Sequence, residues 1–383
     1  MFNWNAERVA AAINAGVSEG QSLEFKADLP ASNDRGKAEF MKDVSALANA
    51  AGGAILYGIS EKAGAADSLA GLKLSDADAE VRKLSQILES GIEPRIAGIQ
   101  FATMSLGESD VLVVDVPQSF DAPHRYLFNG HSKFVQRTGS HVSELTFDQL
   151  RSAFSRTSGR IEKLRQQWNE QITLRNLWRP MIDGPVCIVR LASLMAADER
   201  QVIDPKSAHE HWAKLIFPDW GGGSPAFNYE GLVAYQARRN ETQAALVQMN
   251  RNGSISAYRT ARLLIDDRTI IPSVALGDFI VQAAKRLIEF SLAVGLRGSA
   301  VLNVALVRLS GFQFATRDPY GFDDYLDAGV NEIRMPEFWI DNLEEVGMID
   351  HVLRPGFDLL WQAYGRAECP LFNHDGLWSP TSP

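Results

Sequence analysis

The stretch EGQSLEFK, residues 19–26, brings two carboxylates and an ammonium close together in the chain. Within it, Leu23 and Phe25 alternate with Glu24 and Lys26, which predicts a half-buried β-strand with the charged side chains on one face. Residues i and i+2 of a strand project from the same face roughly 6–7 Å apart. A carboxylate and an ammonium at that separation can share one phosphate. The carboxylate would hold a divalent metal, while the lysine would neutralise charge or help to deprotonate a water.

Metal-dependent cleavage of a phosphodiester needs further oxygen ligands, because Mg²⁺ or Mn²⁺ takes two or three from the protein and retains waters. Glu19 precedes the predicted strand and can fold back beside Glu24, and Glu61 closes the next apolar strand, AILYGIS. These three glutamates are therefore the candidate metal ligands. The spacing alone leaves an alternative open, since Glu-x-Lys is also the ordinary pattern of a solvated strand face.

EGQSLEFK and the motifs that follow it resemble, in their order, the Schlafen-type (Alba-like) domain, whose usual pattern begins with a Glu and then Leu-Glu-Phe-Lys. SALANAAGGAILYGISE is similar to the family's helix ending Ala-x-Ala-Asn-x-x-Gly-Gly and to its apolar strand ending in acidic residues. The resemblance continues through the strand VLVVDVPQS to KFVQRTGSH, which looks like the family's strand ending Arg-x-Gly-Ser, and it covers about residues 10–155. It implies an α+β domain in this part of the chain.

The resemblance also implies a chemistry. In nuclease members of the family, three carboxylates bind a divalent metal and cleave tRNA or other RNA. Carried over by position, these carboxylates fall on Glu19, Glu24 and Glu61, and Lys26 would stabilise the scissile phosphate. The family often shows Asp-Asp where this chain has Ser60 and Glu61, so the third ligand has a longer side chain than usual.

The segment DAPHRYLFNGHS, residues 121–132, is predicted to be a loop, and a short strand, KFVQRTG, follows it. The overlapping segment HRYLFNGHSKFVQRTGSH, residues 124–141, interleaves cations with aromatic residues, a composition that suits phosphates and unstacked bases. We predict that Arg125, Lys133, Arg137 and His141 contact nucleic acid, with Arg137 and Lys133 holding the RNA backbone. The alternative is that the aromatic residues belong to the core and the cations to an ordinary surface.

Helices and strands alternate along the chain without a strict βαβ rhythm, which predicts a mixed α/β fold. Residues 1–150 would form the Schlafen-type Alba-like domain. Residues 151–180 carry seven Lys and Arg residues, and apolar residues such as Leu164 and Trp168 recur at helical spacing, which predicts a basic amphipathic connecting helix. Its cations would form either a solvated face packed on one domain or a nucleic-acid or dimer contact. Residues 181–383 predict a C-terminal α+β domain for which the sequence identifies no chemistry.

The composition limits the class of protein. A hydrophobic content of 45% and a charged content of 22% are typical of a globular chain, and a net charge of −9 argues against non-specific coating of nucleic acid. No window reaches the roughly 18 apolar residues of a membrane span, and MFNWNAERVAAAINAG predicts an amphipathic helix rather than a signal peptide. Cys187 lies in an apolar run and predicts a buried free thiol, so we expect a cytoplasmic protein.

The leading hypothesis is a cytoplasmic, metal-dependent endoribonuclease of Schlafen type that acts on tRNA in a stress or phage-defence response. Vertebrate relatives pair two such lobes in one chain, so this chain, which has one lobe, is expected to form a homodimer. The alternatives are a non-catalytic nucleic-acid-binding regulator with a C-terminal sensor or interaction domain, and an interaction protein of a defence system. Three converging carboxylates favour the nuclease, whereas carboxylates already paired with arginine favour a binder.

Overall fold

The computed structural model describes residues 4–175, 177–198, 202–236, 243–261, 263–265, 268–317 and 323–380. The chain divides into two compact units, Met1–Gly159 and Arg160–Pro383. This division lies inside the segment that was predicted to connect two domains. Helices and sheets occur in both units, so the mixed α/β class predicted from the sequence is confirmed.

The helices of the first unit begin at polar residues whose side chains accept a backbone N–H of the first turn. Asn5, Asn33 and Asp76 cap the first three helices in this way. In chain order, the elements of this unit are α1 (Ala6–Asn14), β1 (Leu23–Lys26), α2 (Asp34–Ala48), β2 (Gly53–Tyr57), β3 (Ile59–Lys62), β4 (Ala65–Leu69), α3 (Ala77–Gly91), β5 (Ile92–Glu93), β6 (Gln100–Leu106), β7 (Ser109–Val116), β8 (Arg125–Phe128), β9 (His131–Thr138), β10 (His141–Glu144) and the start of α4 (Phe147–Gln171).

A mixed sheet in the order β1-β2-β7-β6 forms the centre of the first unit. β1 runs parallel to β2, and the remaining neighbours are antiparallel. One face packs against α2, where Phe40 meets Ile55 in a buried cluster. The other face packs against α1, where Val9, Phe25 and Leu56 share a second cluster. The apolar face of β1 is therefore buried on the α1 side, and its charged face lies on the α2 side.

The segment from residue 121 to residue 132 was predicted to be a loop, and this prediction was wrong. Part of it forms β8, which pairs antiparallel with β9 so that Phe128 lies opposite His131. Asn129 and Gly130 between them have φ angles of 47° and 73°, the positive values that a two-residue type I′ hairpin requires. The Asn-Gly pair between two apolar runs was the sequence signal for this hairpin.

The apolar run AILYGIS was predicted to be one strand, but it forms two. Gly58 ends β2 with a φ of 95°, and β3 then pairs with β4 rather than with the central sheet. A Cβ atom at Gly58 would lie 2.9 Å from the carbonyl oxygen of Asp110, so the chain can reverse this closely only with glycine. As a result, Glu61 lies in β3, outside the sheet that carries Glu24.

The second unit has a larger sheet, and its helices lie between and after the strands in the chain. The runs VCIVRLAS and ALVQMN form strands, and the amphipathic run SVALGDFIVQAAKRLIEFSLA forms a long helix, as their patterns predict. In chain order, the elements are the end of α4, β11 (Val186–Ser193), α5 (Pro205–His209), β12 (Ser224–Phe227), β13 (Gly231–Tyr235), β14 (Ala245–Asn250), β15 (Ile255–Thr260), β16 (Leu263–Ile265), β17 (Arg268–Pro272), α6 (Ser273–Ala293), β18 (Ala300–Val307), β19 (Gln313–Arg317), β20 (Asp323–Leu326), β21 (Glu332–Arg334), β22 (Phe338–Ile340) and α7 (Ile349–Ala363).

The main sheet of the second unit has the order β12-β13-β14-β15-β11-β18-β21, with antiparallel neighbours. Its first face packs against α6 and α7 in the largest apolar cluster. Its second face packs against the C-terminal part of α4, where Trp168 and Ile172 meet Ile188 and Leu246. The C-terminal part of the predicted amphipathic helix is therefore packed on the second unit, and the helix ends at Gln171 rather than near residue 180.

Two further findings bear on the predicted class of protein. Within the described ranges, no helix is both long enough and apolar enough to cross a bilayer. Cys187 and Cys369 are both buried free thiols, as predicted for Cys187, and burial raises the pKa of each.

Candidate functional site

Glu24 occupies the centre of a buried ionic cluster on the charged face of β1. Glu24 is only 8% exposed. One carboxylate oxygen, Oε1, lies 2.6 Å from Nζ of Lys26, and the other, Oε2, lies 2.5 Å from Nη2 of Arg137. Glu24 and Lys26 therefore share one face of the strand, as the alternation predicted, and each oxygen of the carboxylate has a cationic partner.

Arg137 belongs to this cluster rather than to a nucleic-acid surface. The residue is 1% exposed on β9, and its Nε donates to the carbonyl oxygen of Gly20 at 2.7 Å. Its Nη2 also donates to the carbonyl oxygen of Leu23 at 3.2 Å. The prediction that Arg137 holds the RNA backbone is corrected here, because its guanidinium is enclosed by the protein and binds Glu24 and the chain that leads into β1.

Asp43 on α2 is a member of the cluster that sequence reasoning missed. It is buried, with Oδ2 3.7 Å from Nζ of Lys26 and Oδ1 3.8 Å from Nζ of Lys42. Burial raises the pKa of Asp43 although both lysines oppose the shift. The signal was present in the sequence. Asp43 follows Phe40 by three residues and precedes Leu47 by four, so it interrupts the apolar stripe of an amphipathic helix.

The environment of this cluster has a low polarity, as Tyr57 on the neighbouring strand indicates. Burial, together with the charges of Asp43 and Glu24, raises the pKa of Tyr57 well above its usual value. In such surroundings an unpaired charge is costly, so the carboxylates and cations must stay paired. The buried or half-buried carboxylates of the cluster are those of Glu19, Glu24 and Asp43, and its cations are Lys26, Lys42 and Arg137.

Lys26 connects the cluster to solvent. Its side chain is 40% exposed, whereas that of Glu24 is 11% exposed. Burial lowers the pKa of the ammonium, but Glu24, Asp43 and Glu19 raise it by more, so the net pKa lies above its ordinary value. Lys26 therefore remains protonated at neutral pH, which suits charge neutralisation rather than the deprotonation of a water.

Glu19 folds back beside β1, as the sequence predicted. Its Oε1 accepts a hydrogen bond from the backbone N–H of Phe25 at 2.8 Å. Burial raises the pKa of Glu19, the hydrogen bond from Phe25 opposes this shift, and the charges of Glu24 and Glu61 add to it. These charge effects place Glu24 and Glu61 within electrostatic reach of Glu19. Glu61 itself lies exposed on β3.

A divalent cation requires carboxylate oxygens that are free to bind it. Both oxygens of Glu24 are paired with cations, and one oxygen of Glu19 accepts a backbone N–H. Within the part of the chain that the structure describes, no group of three or more His, Cys, Asp or Glu side chains has a geometry suited to a metal ion. In this arrangement the oxygens of Glu24 and one oxygen of Glu19 are engaged by other groups, and metal binding by Glu19, Glu24 and Glu61 stays a prediction.

A polar cleft of about 290 Å³ opens beside the cluster, between β1 and the N-terminal half of α2. The cations Lys26, Arg35 and Lys42 line it, and so do Asp43 and Tyr57. The exposed carboxylates of Asp28 and Glu39 also reach its walls. An anion that enters this cleft meets Lys26 at the point where the buried cluster becomes accessible.

The remaining predicted contacts lie on the sheet β10-β9-β8-β5, which also carries Arg137. Arg125 pairs with Glu93, with Nε 3.0 Å from Oε2, and Lys133 pairs with Glu144 at 3.3 Å. His141 is exposed at the start of β10. Ion pairs that face solvent contribute little stability, so a phosphate can compete for either cation. Nucleic-acid contact by Arg125, Lys133 and His141 stays a prediction.

His124, at the start of the predicted basic segment, has a structural role. The residue is fully buried, with Nδ1 2.7 Å from the carbonyl oxygen of Pro94 and Nε2 2.6 Å from Oγ of Ser119. Burial lowers its pKa. Asn49 exchanges hydrogen bonds with the backbone of His124 and donates a further one to Val135, so it joins the end of α2 to β9. Asn49 therefore has an architectural role at the end of α2.

Comparison with known proteins identifies the domain that carries this cluster. Residues 19–146 match the family model described as Schlafen, AlbA_2, which confirms the Schlafen-type Alba-like domain predicted from the motifs. No curated protein matches the chain.

Two solved structures are similar to parts of the chain. The N-terminal domain of a RecG-related protein from Nitrosomonas europaea is 21% identical, with coverage of 36% of this chain and 89% of that chain and a TM-score of 0.28. The DIP2311 protein from Corynebacterium diphtheriae is 17% identical, with coverage of 59% of this chain and 38% of that chain and a TM-score of 0.26.

Proposed function

We propose that the Schlafen-type domain binds single-stranded RNA through the cleft beside Lys26 and that this binding needs no metal ion. The match to the Schlafen AlbA_2 family supports a function related to nucleic acid. The observation that carries the proposal is the state of the charged cluster. Both oxygens of Glu24 are paired with cations, while the ammonium of Lys26 remains 40% exposed in a cleft that Arg35 and Lys42 also line.

Binding would use charge rather than base recognition in the cleft. One RNA phosphate placed near Lys26 would also lie near Lys42 and Arg35, and a second could displace Glu144 from Lys133 on the hairpin. Two or three phosphate contacts to a single strand predict a slope of about −1.4 to −2.1 in a plot of log K against log salt. Asp28 and Glu39 at the cleft would repel further phosphates, so the interface is a limited one.

A second candidate is the metal-dependent endoribonuclease of Schlafen type, with tRNA as its substrate and a role in stress or phage defence. The charges of Glu24 and Glu61 both raise the pKa of Glu19, and this electrostatic contact is the observation that favours it. Glu19, Glu24 and Glu61 would hold the Mg²⁺ or Mn²⁺, which would polarise the scissile phosphate. Glu24 would first have to exchange Lys26 for the metal, since Arg137 is enclosed.

The test is the binding of a fluorescent single-stranded RNA by the full chain in EDTA, measured by anisotropy for three proteins. The wild type is expected to bind. Lys26→Met is expected to bind at least about fivefold more weakly, because a phosphate contact of roughly 1 kcal/mol or more is lost. Lys83→Met, a control at a lysine paired with Glu80 on α3, is expected to bind as the wild type does. Equal affinity of Lys26→Met and the wild type would refute the proposal.

Cleavage separates the two candidates. Wild type and Glu24→Gln are incubated with labelled tRNA and with the same single-stranded RNA in Mn²⁺ and in EDTA. If the wild type cleaves RNA only in Mn²⁺ and Glu24→Gln does not, the endoribonuclease replaces the metal-independent binder. If neither protein cleaves while the wild type binds in EDTA, the binder stands.

A further inference from the structure

The second unit carries an unusual polar row across its main sheet. The strand registers place Gln248 on β14 opposite Ser256 on β15, Ser256 opposite Arg190 on β11, and Arg190 opposite Asn303 on β18. All four residues are buried. They lie on the face that α4 covers, where the adjacent row of Leu246, Tyr258, Ile188 and Ala305 is largely apolar. A polar row buried across four strands requires an explanation beyond core packing.

Arg190 is the charged member of the row, and it has no carboxylate partner among the described residues. Arg190 is 1% exposed. Nη1 donates to the carbonyl oxygen of Leu164 at 2.9 Å, and Nη2 donates to Oε1 of Gln167 at 3.0 Å. Nε has no hydrogen-bond partner. Burial lowers the pKa of Arg190 to about 10, so the guanidinium still carries its charge at neutral pH.

Two members of the polar row, Arg190 and Gln248, line a cleft of about 800 Å³ in the second unit, which is large enough for a small organic molecule. Arg190, Gln248 and Asn250 contribute polar groups to its lining, and Trp178 and Tyr229 contribute aromatic rings. Tyr229 is 91% exposed at the hairpin between β12 and β13. The other charged residues of the lining, Glu170, Glu230 and Arg251, are exposed, so Arg190 is the buried charge of this cleft.

A purely structural role explains only part of this geometry. The hydrogen bonds from Arg190 to Leu164 and Gln167 tie α4 to the sheet. A neutral donor would serve the same purpose without the cost of burying a charge that has no counter-ion. The structural role also leaves the buried Nε–H of Arg190 unpaired, in a residue that lines the cleft. An anionic group that reaches the bottom of the cleft would compensate the charge of the guanidinium.

We propose that this cleft binds a small organic anion with a planar ring, whose phosphate or carboxylate group pairs with Arg190. The planar guanidinium donates parallel hydrogen bonds to either kind of oxyanion. The ring would lie against Trp178 and Tyr229, and the side-chain amide of Asn250 would hydrogen-bond its polar edge. This site is in the second unit, and the inference does not depend on RNA binding by the first.

The test measures binding to the full chain by isothermal titration calorimetry, with probes in matched pairs. Adenosine and guanosine 5′-monophosphates are compared with adenosine and guanosine, indole-3-carboxylate is compared with indole-3-carboxamide, and inorganic phosphate is measured alone. At least one ring-bearing anion is expected to bind about tenfold or more tightly than its neutral counterpart, since a charge-assisted hydrogen bond is lost in the counterpart. The two pairs distinguish a phosphate ligand from a carboxylate ligand. If no anion binds more tightly than its neutral counterpart, the proposal is overturned.

Variants locate the binding. Arg190→Met is expected to abolish the preference for the anion, and Arg190→Lys to weaken it. Arg259→Met is the control, because Arg259 lies on the adjacent strand β15 and already pairs with Asp219. If the anion binds Arg190→Met as tightly as the wild type, the proposal is refuted.

A variant at the rim covers the case in which Arg190→Met does not fold by circular dichroism. Tyr229→Ala removes an exposed ring and should leave the fold intact. It is expected to weaken binding of the ring-bearing anion by roughly five- to tenfold, since a stacking contact is lost. Binding of inorganic phosphate should be unchanged. Unchanged affinity in both Tyr229→Ala and Arg190→Lys would also overturn the proposal.

Discussion

Replacing Arg137 by methionine is the most direct test of the charged cluster. Methionine has a similar length and fills most of the space of the arginine stem. It removes the donor to the carbonyl oxygen of Gly20 and one of the donors to that of Leu23, which still accepts from the backbone N–H of Gly20. It also leaves the buried carboxylate of Glu24 with Lys26 as its remaining partner. We expect the folded state of the first unit to lose stability.

The expected magnitude follows from the burial of the pair. Removing one partner of a buried ion pair costs about 3–5 kcal/mol, because the other charge stays buried without compensation. Lys26, at 2.6 Å from the other oxygen, retains part of that compensation, so Arg137→Met should lie near the lower limit, at about 3 kcal/mol. For a unit of this size, about 3 kcal/mol corresponds to a fall in Tm of roughly 6–12 °C.

The assay is urea and thermal unfolding of the full chain by circular dichroism. Hydrogen exchange of peptides from β1 and β9 assigns the change to the first unit. Arg125→Met is the matched control, because its pair with Glu93 is exposed and should contribute roughly 0–1 kcal/mol. If Arg137→Met costs no more than Arg125→Met, the buried pair does not hold β1 to β9 and the reasoning is refuted. A cycle with Glu24→Gln should give a coupling of about 0.5–3 kcal/mol.

Three further outcomes are expected. Burial lowers the pKa of His124 below its ordinary 6.5, so the unfolded chain binds more protons and stability falls as the pH drops below 6.5. In thermal unfolding from pH 7.5 to 5, His124→Gln should flatten this fall, and an unchanged slope would contradict the assignment. Gly53→Ala should cost about 3 kcal/mol or more, since φ is 153° and a Cβ would lie 2.4 Å from the carbonyl oxygen of Ser22. Gly64→Ala, whose Cβ meets nothing within 4 Å, should cost about 1 kcal/mol in the same urea experiment. Multi-angle light scattering should give twice the 42.2 kDa chain mass if the single Schlafen lobe pairs with a second copy, and a monomer mass would reject the homodimer.

Local patterns predicted much of the fold correctly. The alternation in LEFK assigned Phe25 and Glu24 to opposite faces of β1, and the helical spacing around Phe40 predicted α2. The prediction of one strand in AILYGIS failed at Gly58, because the reversal there depends on how closely the backbone of Asp110 approaches. The prediction of a loop before β9 was wrong because Asn129 and Gly130 form the turn of a β-hairpin.

The sequence by itself determined which residues carry charge near β1, and it indicated the Schlafen-type domain through the order of its motifs. Only the tertiary structure decided how those charges pair. Arg137 lies 114 residues from Leu23 in the chain and yet donates to its carbonyl oxygen. Asp43 joins the cluster from helix α2. Period and alternation describe neighbours within one element, whereas the partner of a buried charge depends on which elements fold against one another. For this reason the glutamates predicted as metal ligands were identified from the sequence, but the arginine that holds one of them was not.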